Sequence, residues 1–254
     1  MKKNLVIYIP AVLAVLAVKL FYRTADSGLL SWILAPTTGW VQILSGIAFE
    51  KTAHVGYVSH EYRFIIAPSC SGVRFLLTAF VMMVFSFTHK LDTMGKKICW
   101  LGFSAVFAYI ATVFVNGIRI TVSIYLPLVL SEYRLEPAGM TAARLHTVIG
   151  TTVYFSMLFV IYKLAGSLCR RFLSGTGALR QNTSRQNLTP VFWYAVMVLG
   201  LPALGRWYRR DWAGFWQYAA LVAGVCVMLL LPVWIFRKVV HLAKNFSSTL
   251  EKIS

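Results

Sequence analysis

The feature that most restricts this chain is the recurrence of apolar runs about as long as a lipid bilayer is deep. A helix needs about 20 predominantly apolar residues to cross a hydrocarbon core roughly 30 Å thick. Such runs are predicted near residues 5–22, 71–88, 98–116, 146–164, 191–205 and 213–236. Backbone in lipid must satisfy its own polar groups, which leaves helices or closed barrels, and runs of this length without strict alternation select helices. The predicted fold is an all-α, polytopic integral membrane bundle of about six transmembrane helices. Composition agrees: 58% of the 254 residues are hydrophobic and 13% are charged, with a mean hydropathy of +0.68. The lipid bilayer is therefore the chain's first partner.

Two apolar stretches fall outside that count. Residues 29–48 are interrupted by Pro36, Thr37, Thr38 and Gly39, and residues 120–130 are too short; both are expected to be interfacial or re-entrant. Omitting 29–48 sets the sidedness. Lys2, Lys3, Lys90, Lys96, Lys97, Arg170, Arg171, Arg180, Arg185, Arg237, Lys238 and Lys244 then become cytoplasmic anchors under the positive-inside rule, while Arg206, Arg209 and Arg210 fall on the outer side. The net charge of +17 is thus spread between apolar runs instead of forming a basic stripe interleaved with aromatics, which argues against nucleic acid as a partner. The first run follows two lysines and ends without a small-residue cleavage site, so it is expected to stay as a helix and not to be removed as a signal. Residues 174–190 are polar and rich in Gly, Ser, Thr and Asn. The organisation expected is a membrane core over 1–168, a basic cytoplasmic linker over 169–190, and a C-terminal transmembrane pair with a basic tail over 191–254.

Sidedness also sorts the cysteines. Cys99 and Cys169 fall near the cytoplasmic face, Cys226 inside the last helix, and Cys70 alone at the outer face, with no partner for a disulfide. Its setting is Ala67-Pro68-Ser69-Cys70-Ser71-Gly72-Val73-Arg74. Pro68 forbids a continuous helix from upstream and Ser69 is the expected N-cap, which puts Cys70 in the first turn. There, unpaired N–H groups and the helix dipole favour a thiolate, and Arg74 one turn on would add to the effect. The bland reading is a small buried cysteine at a helix start.

Two further positions stand at outer helix ends. In Asn116-Gly117-Ile118-Arg119 the arginine is flanked by apolar sequence, where a charge is costly unless it pairs or reaches the interface. It is either an interfacial anchor or a donor fork for an oxyanion or carboxylate. In Arg144-Leu145-His146, with Gly150 one turn below, the histidine is either a solvated helix-start residue or an acid/base group. A compact bundle would join Cys70, Arg119 and His146 as nucleophile, anion stabiliser and acid/base. Glu50, Glu61, Glu132 and Glu136 are candidates to orient His146. His54 and His60 match no metal-ligand spacing, so neither a metal nor another cofactor is expected. Ser71 lacks a glycine-flanked elbow, and no phosphate-binding glycine loop is present.

Taken in order, Cys70-Ser71-Gly72 with Arg74, Asn116-x-x-Arg119, and His146-x-x-x-Gly150 resemble the exosortase and archaeosortase group of membrane enzymes, over about residues 60–165. The chain is similar to a short exosortase, and its C-terminal pair has no mapped counterpart in the shared core. The resemblance implies a cysteine transpeptidase or protease, a hydrolase acting on peptide bonds, in the bacterial plasma (inner) membrane with its active site at the periplasmic face. Its substrates would be exported proteins whose C-terminal sorting signal combines a short PEP-CTERM-like motif, a transmembrane helix and a basic tail. Cys70 would form a thioester, His146 would move the proton, and Arg119 would hold the oxyanion. Two competing expectations stand beside this one. A non-enzymatic scaffold or transporter component for envelope polysaccharide or protein export would tolerate loss of Cys70, though the chain lacks the paired repeats usual in transporters. An intramembrane protease of another class would use the external glutamates with His54, His60 or His146, without a His-Glu-x-x-His pattern to support it.

Overall fold

A computed structural model describes residues 2–133, 141–173, 188–200, 202–203 and 212–250. Helix α1 (Lys2–Thr24) turns into α2 (Ser31–Ser45), followed by a small antiparallel sheet of β1 (Glu50–Thr52), β2 (Gly56–Ser59) and β3 (Phe64–Ile66). A 3-10 turn at Pro68–Cys70 leads into α3 (Val73–Phe87), and then come α4 (Met94–Glu132) and α5 (Ala142–Leu173). Last are α6 (Leu188–Ala195), which runs on as a π turn over Val196–Gly200, and α7 (Ala213–Leu250). Among the described residues five helices are long and apolar enough to cross a membrane: Asn4–Thr24, Pro68–Lys90, Met94–Glu132, Ala142–Arg171 and Gly214–Phe236. The chain is a helical membrane-type bundle, with its largest core around α3.

That core is built on α3, against which α1, α4 and α5 all pack. Twelve of its fifteen residues are buried. Tyr8 of α1 stacks on Phe85 with ring centroids 4.6 Å apart, Phe87 meets Trp100 of α4 edge-on at 5.8 Å, and Phe75 stacks on Tyr154 of α5 at 4.7 Å. The Trp100 indole N–H, buried among these rings, donates to the Met83 carbonyl at 3.3 Å. A second core, including Leu30, Ile33, Ile66 and Cys70, lies under the sheet and joins α2 to the C-terminal part of α4.

Several expectations need correction. Residues 29–48 are not broken: α2 runs straight through Pro36, Thr37, Thr38 and Gly39. Thr37 and Thr38 are buried with the packed face of the helix, and tertiary contact overrides the local breakers. At 15 residues α2 is shorter than a span. Residues 120–130 are no separate segment either; α4 continues through Pro127 to Glu132, 39 residues or about 58 Å, nearly twice a hydrocarbon core. Its C-terminal part is supported by α2, since Tyr109 donates to the Trp32 carbonyl, Tyr125 donates to the Ser45 carbonyl, and Trp40 packs on Gly117, where a Cβ would come within 2.3 Å of the indole. The expected span at 191–205 is a shorter apolar helix over Leu188–Gly200, so five helices meet the length criterion instead of six.

The all-α expectation also missed the sheet. β1 pairs with β2 and β2 with β3, with Tyr57 opposite Ile66. Its strands are three or four residues long, too short for alternation to show in the sequence. Residues 169–173 of the expected linker are the end of α5 and residues 188–190 begin α6. Residues 174–187, Glu136, Arg180, Arg185, Arg206, Arg209 and Arg210 lie outside the described residues.

Candidate active site

The approach to Cys70 is set by a proline and a glycine. Pro68 opens the 3-10 turn, in which the Cys70 N–H donates to the Ala67 carbonyl at 2.8 Å and the Ser71 N–H to the Pro68 carbonyl at 3.1 Å. Gly72 then takes a left-handed conformation, φ 74°, and α3 starts at Val73. Ser69 is therefore not the N-cap, and Cys70 sits in the turn before the helix, not in its first turn. The reason is local. Proline fixes a φ suited to the tight turn, and only glycine reverses the chain there without strain. A side chain at position 72 would also strike Asn116, whose Cγ lies 2.9 Å from the Cβ position.

Asn116 and Arg119 lie one turn apart on α4 and both are buried, at 0% and 5% exposure. The Asn116 amide donates from Nδ2 to the Cys70 carbonyl at 2.6 Å. Arg119 donates from Nη1 to Tyr154 Oη at 2.8 Å and to Asn116 Oδ1 at 3.3 Å. Tyr154 in turn donates to Asn116 Oδ1 at 2.6 Å. On its other edge Arg119 Nη2 meets His146 Nε2 at 2.7 Å. A guanidinium only donates, so His146 Nε2 is the acceptor and the ring is the neutral tautomer with its proton on Nδ1. The Cys70 side chain is an electrostatic neighbour of Arg119. Arg119 is thus the group that Cys70 and His146 share, and among the described residues the thiol makes no hydrogen bond to His146.

A cavity of about 360 Å³ opens beside this cluster. Ser69, Gly72, Arg74, Arg119, His146 and Gly150 line it, as does Tyr154. Cys70, 8% exposed, is not part of that lining, and Ser71 is fully buried. Arg74 is exposed at the cavity. Gly150 lies beside the Arg119 side chain, where an added Cβ would meet its Cδ and Nε at 3.9 Å, an ordinary contact distance.

The structure thus joins Cys70, Asn116, Arg119 and His146, with Ser69, Gly72, Arg74 and Gly150 around one cavity. Among the described residues it shows no glutamate paired with His146. Glu50, Glu61 and Glu132 are exposed, and the His–carboxylate ion pair among the described residues is His54 to Asp26 at 3.5 Å. Asp26 lies outside the spans, and the Leu29 N–H, with His54, holds its carboxyl below the usual range. His60 is exposed, and no group of three His, Cys, Asp or Glu side chains among the described residues could hold a metal ion.

Sequence reasoning missed Tyr154, and with it the far wall of the cavity, formed by Tyr194, Met197, Val198, Pro202 and Tyr218 of the C-terminal helices. Tyr154 had a readable signal: it follows His146 and Gly150 at four-residue steps, on one face of α5. The far wall had none, because nothing local says how α6 and α7 dock. The chain matches no family model, no curated protein and no solved structure.

Proposed function

We propose that this chain is a membrane-embedded cysteine transpeptidase or protease that processes exported proteins at a C-terminal sorting signal. The observation that supports the reading is that Arg119 of α4 joins Cys70, in the turn before α3, to His146 of α5, with Arg119 and His146 lining one cavity beside them. An arginine buried in so apolar a chain is costly unless it is held by partners, and here its partners are the other members of the proposed site.

In the proposed reaction the Cys70 sulfur adds to the carbonyl carbon of the scissile peptide bond, and its proton passes to His146 Nε2. The resting hydrogen bond from Arg119 to Nε2 opens for that transfer, and the partly exposed ring has room to turn. Negative charge gathers on the carbonyl oxygen, where Arg119 stabilises it. Collapse breaks the C–N bond, His146 returns its proton to the departing amine, and a thioester remains. Water resolves it in a protease; an amine or hydroxyl of an acceptor resolves it in a transpeptidase. The substrate, a protein whose tail carries a recognition motif, membrane helix and basic cluster, would reach the site from within the inner membrane, where the Cys70 turn, the Asn116–Arg119 stretch of α4 and the start of α5 meet.

The test is membrane proteomics of host cells carrying wild type or Cys70→Ala. Exported proteins that keep an uncleaved C-terminal helix and basic tail only in the variant support the reading. Unchanged processing, with the variant stably inserted, sinks it and favours a scaffold or transporter component of envelope export. One observation supports that second reading: Cys70 is buried and is not among the residues that line the cavity.

A further inference from the structure

A guanidinium has five N–H donors, and those of Arg119 are divided unevenly. Both Nη1 hydrogens are used, one on Tyr154 Oη and one on Asn116 Oδ1. One Nη2 hydrogen goes to His146. Nε is buried without a hydrogen-bond partner, in a side chain that lines the cavity. The Nη1 edge is closed by a third bond, from Tyr154 Oη to Asn116 Oδ1 at 2.6 Å. The tyrosine hydroxyl therefore gives its one proton to Asn116 while a lone pair accepts from Arg119, and phenylalanine can do neither. Asn116 carries the same frame to the nucleophile through its 2.6 Å bond to the Cys70 carbonyl. The Tyr154 ring is held separately, stacked on Phe75 with 17° between the planes.

We propose that Tyr154 is a positioning residue whose hydroxyl ties the Nη1 edge of Arg119 to the protein, so that Nε–H and the remaining Nη2 hydrogen face Cys70 and the substrate's acyl oxygen. This deepens the cysteine-enzyme reading and rests on it. Without the hydroxyl, Nη1 has a free hydrogen, the guanidinium can turn about its last torsions, and neither its charge nor its free donors stay fixed beside the thiol. The role is one of aim, since Tyr154 itself need not touch the reacting atoms.

The test uses the full chain in detergent with Cys99, Cys169 and Cys226 changed to Ser, so that Cys70 is the sole thiol. Its alkylation by iodoacetamide is followed by mass spectrometry at fixed pH. Tyr154→Phe is expected to slow alkylation roughly threefold to tenfold, because an arginine beside a thiol favours its reactive form. In an Arg119→Lys background the same change should have no further effect, which a purely structural role would not produce. Phe75→Leu, which keeps the hydroxyl and loosens the ring, should stay within about twofold of the parent rate. An unchanged rate for Tyr154→Phe overturns the proposal. So does an equal slowing with Lys at position 119, or a Phe75→Leu effect as large as that of Tyr154→Phe. Alkylation needs no substrate, so its outcome is separate from that of Cys70→Ala on processing: precursors that accumulate without any Tyr154 effect retain the enzyme reading and remove only this one.

Discussion

Helix α3 and the last helix, α7, teach opposite lessons about apolar sequence. The best window in α7 has a mean hydropathy of 2.6, yet only 6% of it is buried inside the protein; the window containing α3 has 1.8 and is 78% buried. Helix α1 resembles α7, at 2.3 and 11%. The most apolar helices are thus the outermost, and the helix that organises the bundle is the least apolar of the three. In lipid this order is expected, because apolar side chains gain nothing by leaving lipid for protein. Helix α3 carries Thr78 and Ser86 within its span and the Cys70 turn at its head. Hydropathy therefore finds what enters the membrane and says little about what stands at the centre.

The contrast can be sharpened at the site first. Arg119→Ala removes the shared partner of Tyr154, Asn116 and His146, and should lower processing by about a hundredfold to a thousandfold, read as precursor accumulation approaching that of Cys70→Ala. Wild-type processing would show that the buried charge of α4 serves packing alone.

Next in size is the packing difference itself. Phe87→Ala, at a position 1% exposed, should cost about 3 kcal/mol in thermal or denaturant unfolding of the purified protein, mostly through lost contacts and the cavity left behind. Met228→Ala on α7, at a position 77% exposed, should change stability by no more than about 0.5 kcal/mol. Equal costs at the two positions would break the comparison and mean that α7 has a protein partner along its apolar face.

Glycines give a smaller contrast. Gly72→Ala should destabilise by about 1–3 kcal/mol, because the residue has positive φ and its new methyl would press on Asn116. Gly102→Ala in α4, with nothing within 4 Å of the added carbon, should be neutral or stabilise by about 0.5 kcal/mol. The smallest effect belongs to Asp26, which the Leu29 N–H and His54 hold below the usual carboxylate range. A carboxyl depressed in the folded state stabilises above its unfolded value, and that contribution is lost as pH falls through the folded one. Asp26→Asn should therefore slightly increase protease cutting of the 54–63 loops at neutral pH, with the difference from wild type fading well below about pH 3.9.

Which parts of this could be read in advance follows the range of the forces involved. By itself the sequence determined that the chain is helical and suited to lipid, because apolar length and backbone self-satisfaction are local properties. It also picked out Cys70, Asn116, Arg119, His146 and Gly150, since each stands beside a helix end or breaks an apolar run. It misjudged the cap at Ser69, where Pro68 and Gly72 together outweigh a good capping residue, and it broke α2 at Pro36, where burial against α4 outweighs local propensity. Only the tertiary structure decided that Arg119 stands between thiol and imidazole, that Tyr154 completes its hydrogen bonds, and that the C-terminal helices wall the cavity. Those facts depend on how separate helices are rotated and staggered against one another, and that geometry comes from side-chain packing over distances no local pattern records.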